Sequence, residues 1–132
     1  MARARRPTAR AYGPLREAVY SLVPWKWEVC VVTGGDAETF ARYVQTLGIT
    51  GLTTGIESSG HAYVEAGFPA VIWVQDRHNL PSFVHEAMHV VSGCLEYRGV
   101  KPTRDSEEAY TYAVEALVAW YLRPRRWTRP RV

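Results

Sequence analysis

The sequence predicts an α+β fold, a small mixed sheet followed by two packed helices. Three observations lead there. Residues 70–75 (AVIWVQ) form a continuous apolar run bounded by Pro69 and by turn residues 76–81, the pattern of a buried strand. From Ser82 to Tyr97 the apolar spacing changes to that of a helix. A further helical segment opens with acidic residues and is stopped by Pro124. The 132 residues suffice for one domain and hardly for two, and 47% hydrophobic content with 5 Trp and 8 Tyr supplies a core. That composition excludes a disordered, collagen-like or coiled-coil chain.

Taken in order, residues 1–14 (MARARRPTARAYGP) lack apolar periodicity and read as a basic arm. Residues 15–23 form a short amphipathic segment stopped by Pro24. Residues 25–33, rich in aromatic and β-branched side chains, read as a strand ended by Gly34 and Gly35. Asp36 suits an N-cap, and 37–47 then carries Phe40, Tyr43, Val44 and Leu47 at helical spacing, with Gly48 as the stop. Segments 49–57 and 62–66, parted by Ser58, Ser59 and Gly60, read as a hairpin. The helix of 82–97 is closed by Gly99, and Asp105 or Ser106 caps a last helix reaching about Leu122. The expected order is β, α, β, β, β, α, α, with one domain over 15–123 and a basic tail over 124–132.

The formal net charge of +3 hides a division. Residues 1–16 hold five arginines and residues 123–132 five more, with no acidic residue in either segment. The span 17–122 carries 6 basic against all 13 acidic residues, a net −7. An acidic body thus lies between two arginine-rich ends, and only the ends suit an anionic partner.

The chemistry-bearing motif is His85-Glu86-Ala87-Met88-His89, H-E-x-x-H, inside the helix of 82–97. Residues four apart on a helix stand one above the other, so His85 and His89 can present their imidazoles to one ion. Glu86 flanks that position and suits a general base that takes a proton from water. An open zinc site needs a third protein ligand. Glu107 and Glu108 follow His89 by 18 and 19 residues, at the start of the last helix. The short stretch 98–104 allows that helix to fold back antiparallel. The apolar stripe Ala109, Ala113, Ala116, Leu117 and Trp120 leaves Glu107 and Glu108 on opposite flanks, so helical geometry does not choose between them.

With H-E-x-x-H on one helix and glutamates opening the next, residues 70–122 resemble the gluzincins, zinc peptidases with a ligand Glu on the second helix. More narrowly, VHEAMHVV followed by SEEAYTY is similar to small metallopeptidase-like proteins of bacteriophages and prophages. The resemblance implies a zincin-like fold, Zn²⁺ as cofactor held by His85, His89 and Glu108, and Tyr112 one turn beyond that glutamate. It also implies hydrolysis of a peptide or protein substrate, in the cytoplasm of a bacterial host or in association with a virion. Zincins commonly offer an edge strand to an extended peptide, and 70–75 or 62–66 could serve. Candidates for an oxyanion-stabilising electrophile are His61, Tyr63, His78 and Tyr112.

Cys30 and Cys94 are too few for a disulfide scaffold and sit in segments that read as core; Cys94 lies about 180° around the helix from His85. No apolar run approaches the ~20 residues of a membrane span, and no apolar segment follows the N-terminal arginines, so neither an anchor nor a secretory signal is expected. The arginine-rich ends, with Trp127 as a stacking side chain, fit contact with nucleic-acid phosphates or another acidic surface. Two alternatives to the peptidase therefore stand: a non-catalytic, zinc-stabilised phage structural or assembly protein, and a nucleic-acid-binding module acting through its termini. The sequence is silent on oligomeric state.

Overall fold

A computed structural model describes residues 12–23, 25–49 and 59–130. Its elements are β1 (Arg16–Leu22), β2 (Trp27–Thr33), α1 (Ala37–Thr46), β3 (Gly60–Tyr63), β4 (Ala70–Val74), α2 (Leu80–Tyr97) and α3 (Glu107–Leu122). The fold is α+β, with one mixed four-stranded sheet in the order β1-β2-β4-β3. β1 and β3 run antiparallel to their neighbours, and the central pair β2 and β4 is parallel. A parallel pair needs a crossover rather than a tight turn, and α1 lies within that connection.

Alternation along the two central strands sorts their side chains onto two faces. Cys30, Val32, Val71 and Trp73 meet Phe40, Tyr43 and Val44 of α1. The Phe40 and Trp73 rings stack at 5.0 Å, and the Trp73 indole N–H donates to the Gly34 carbonyl at 2.8 Å. On the opposite face, Val29, Val31, Ile72 and Val74 meet Phe83, Ala87, Val90, Val91 and Leu95 of α2. α3 adds Tyr110, Ala113, Leu117 and Tyr121 to this second core. Because β4 is covered on both faces, all five of its residues are buried, which is why its sequence reads as an unbroken apolar run.

Three sequence expectations need correction. The amphipathic segment 15–23 contains β1, which pairs with β2 along its whole length, Arg16 opposite Thr33 to Leu22 opposite Trp27. The first two elements are therefore a hairpin, and the order is β, β, α, β, β, α, α. Within 62–66 only Ala62 and Tyr63 are in a strand, and β3 pairs with β4; most of the other expected hairpin arm, 50–58, lies outside the described residues. The inner stripe of α3 is Tyr110, Ala113, Leu117 and Tyr121, while Ala116 is exposed. The two tyrosines claim that face because each hydroxyl reaches a backbone carbonyl: Tyr110 donates to Val100 at 2.6 Å, and Tyr121 donates to Arg77.

The capping signals behave as expected at α1, where the Asp36 carboxylate accepts from the Thr39 N–H at 2.8 Å and its hydroxyl at 2.6 Å. Those hydrogen bonds hold the Asp36 carboxyl below its ordinary range. α2 begins two residues earlier than expected, at Leu80, because Asn79 accepts from the Ser82 N–H and Pro81 is tolerated in the first turn. Residues 124–130 do not stand away from the body. Glu17 and Thr128 exchange two backbone hydrogen bonds, at 2.8 and 3.1 Å, and Trp127 packs on Trp120 and Tyr121. Among the described residues no helix is long and apolar enough to cross a membrane.

Candidate functional site

α2 carries the H-E-x-x-H motif on its face toward β3. His85 and His89 are exposed, one turn apart, with their Nε2 atoms 3.2 Å from each other and their rings at 75°. Two nitrogens each about 2.0–2.1 Å from one tetrahedral ion would stand about 3.3–3.4 Å apart. At 3.2 Å the pair stands within about 0.2 Å of that separation.

Glu86, the next residue along the helix, turns inward and is 9% exposed. Its carboxylate lies under β3, where a Cβ built on Gly60 would stand 3.5 Å from Oε1, 3.2 Å from the Ser82 hydroxyl and 3.3 Å from the Trp73 carbonyl. Glycine at position 60 thus lets the strand pass closely over the helix. Gly93, two turns further on, serves the same approach: a Cβ there would stand 2.9 Å from Val64 Cγ2 and 3.0 Å from its Cβ. Gly93→Ala should gain about 1 kcal/mol of helix propensity. Overpacking against a stiff β-branched neighbour costs ~1–3 kcal/mol and should outweigh it. A net loss of about 1 kcal/mol is expected in urea unfolding; a gain would contradict the close packing of α2 on Val64.

His61 completes the surroundings. Together with Gly60, Ala62, Val64, His85, Glu86 and His89 it lines an open depression of about 470 Å³. It comes from β3, with its ring 6.3 Å from that of Phe40. Burial holds the His61 imidazole below its ordinary value; the Glu86 charge pulls it up and His89 pushes it down. The other three electrophile candidates lie elsewhere. Tyr63 donates to Glu65 at 2.6 Å, and that bond is the main cause of its hydroxyl being pushed up to about 12. His78 lines a separate depression, and Tyr112 is 65% exposed on α3.

Glu108 is not brought to the histidines. α2 continues for eight residues beyond His89, about 12 Å at 1.5 Å per residue, before the chain turns back. The helices are antiparallel: Phe83, near the start of α2, stacks on Tyr121, near the end of α3, at 3.7 Å. The first turn of α3 accordingly sits by the far end of α2, where Tyr110 meets Val100, and both Glu107 and Glu108 are exposed there. Among the described residues no three His, Cys, Asp or Glu side chains come together as a metal-binding group. The two imidazoles fit zinc as donors, and among the described residues no third protein donor of an ordinary catalytic zinc site is assembled with them. Cys94 is buried in the core beneath α2, its thiol pushed up to about 12 by that burial, and Cys30 is buried on the α1 side.

Two strands had been candidates for a peptide-binding edge. β4 is interior, hydrogen-bonded to β2 on one side and β3 on the other. β3 is one of the two edge strands among the described residues, and it is the one that overlies the motif. Compared with protein-family models, with curated proteins and with solved structures, the chain matches none.

Proposed function

We propose that the chain is a zinc-dependent peptidase centred on α2, with His85 and His89 as metal donors and Glu86 as general base. The observation that supports this best is the pair of imidazole nitrogens converging at 3.2 Å beside a buried carboxylate. Zinc bound there would supply Lewis acidity, polarising a scissile carbonyl and acidifying water. Glu86 accepts a proton from the attacking water and returns it to the departing amine. Its place beneath Gly60 limits where the carboxylate can swing, so the proton acceptor is held in one position. Of the electrophile candidates, His61 is the one that lines the same depression as Glu86 and the two histidines. β3 offers main-chain groups along its outer side to an extended peptide, in the manner of strand addition. The part of Glu108 as third donor rests on the sequence resemblance alone.

The test is hydrolysis of an unfolded protein substrate by the intact chain. Cleavage should stop on addition of a chelator and return when zinc is restored in excess. No cleavage by the zinc-loaded chain, or cleavage indifferent to the chelator, would overturn the proposal.

A further inference from the structure

A second depression, of about 450 Å³, shares no residue with the first. It lies where the loop after β4 meets the end of α3 and the chain that follows. Its charged or titratable wall is Arg77, His78, Arg123 and Arg125, and its aromatic wall is Tyr121 and Trp127. Among the described residues that line it there is no carboxylate. Asp76, next to Arg77 in the chain, accepts from the His78 backbone N–H at 2.9 Å.

The wall is fixed from several directions. Tyr121 donates to the Arg77 carbonyl and ties the loop to α3. The Arg125 guanidinium donates to the Trp120 carbonyl and lies 3.7 Å over the Trp120 ring. Trp127 is wedged against Trp120 and Tyr121, and the Glu17–Thr128 backbone pair pins the chain just beyond. Three arginines, Arg77, Arg123 and Arg125, line this one depression. Burial, and then the Arg123 cation, keep Arg125 below its ordinary value, with no acidic group acting in the other direction. The Arg125 Nε–H is buried without a hydrogen-bond partner. Like charges gathered around one cavity without a counter-charge are costly, and an anion bound among them relieves that cost.

We propose that this depression binds the backbone of a single-stranded nucleic acid, with a phosphate between Arg77 and Arg123 and a base against the Trp127 side of the cavity. Arg126 and Arg129 are exposed just beyond it and extend the positive surface along the chain. A polymer with regularly spaced phosphates matches that extension better than an isolated anion. Basic grooves edged by aromatic rings bind single strands through phosphate contacts and stacking. The clamp adds preorganisation, so little side-chain ordering is left to oppose binding. The basic tail expected over 124–132 folds, over 124–130, onto α3 and forms one wall of the depression.

The test uses the intact chain and a fluorescent short oligothymidylate, followed by anisotropy at about 50 and about 200 mM salt. The Arg77→Ala/Arg123→Ala double variant should bind at least about tenfold more weakly at the lower salt. Its salt dependence should flatten by about 1.4 in logarithmic slope, as two lost single-strand phosphate contacts require. Both side chains are exposed, so the variant should show the wild-type circular dichroism and melting curve. Unchanged affinity in a folded double variant would overturn the site. So would an affinity for polyglutamate equal to that for the oligonucleotide, or displacement of the oligonucleotide by equimolar inorganic phosphate. Glu86→Gln, in the other depression, should leave the binding unchanged, so this proposal stands or falls apart from the peptidase.

Discussion

Glu86→Gln should abolish hydrolysis and leave the metal bound. The amide has the shape of the carboxylate and fits the same space beneath Gly60 and beside Ser82. It cannot accept the proton that the attacking water must lose. Removing a positioned general base costs ~10²–10⁴ in rate, which is about 2.7–5.4 kcal/mol of transition-state free energy. The loss should appear in kcat, with zinc content and melting temperature at wild-type values. A Gln variant that hydrolyses at the wild-type rate would remove Glu86 from the chemistry.

His89→Ala should lose zinc, and His85→Ala should do the same. Each deletes one of the two donors of the proposed centre that stand together among the described residues, so affinity should fall by well over the ~10–100-fold that an outer-shell partner is worth. Both side chains are exposed, so stability should stay within ~0.5 kcal/mol of wild type and the loss cannot be blamed on unfolding. Glu108→Ala separates two arguments. Retained zinc agrees with the exposed position of Glu108 on α3, and lost zinc agrees with the ligand set that the gluzincin resemblance implies.

The parts of the fold that a local pattern specifies were legible in the sequence. β4 announced itself because a strand covered on both faces has no polar alternation, and α2 because its apolar period runs on to the stop at Gly99. β1 was not legible, since seven residues with Val19 exposed fit either period. The hairpin joining it to β2 was hidden too, because the turn runs through Lys26, a non-glycine residue at φ 52°, rather than through a recognisable Asn-Gly or Gly-Gly pair.

For the site, the spacing of His85 and His89 predicted their convergence, because it depends on one helical turn alone. The position of Glu108 depends on how far α2 runs beyond His89, and a count of intervening residues does not contain that length. His61 was one candidate among four, and only the pairing of β3 with β4 brings its strand beside the motif, with His61 opposite Trp73 and its ring near Phe40. Gly93 offered a signal that could have been used: a glycine inside a helix weakens it and calls for a packing reason, here the approach of Val64. At the other end, Arg123 and Arg125 were visible as charge. Their clamp was not, because it depends on a pairing between Glu17 and Thr128, 111 residues apart.

The decisive measurement is the zinc content of the unmodified chain after loading and dialysis. One ion per chain, absent from His85→Ala and His89→Ala, is predicted. A folded wild-type chain that retains no zinc would contradict the metal centre and, with it, the peptidase.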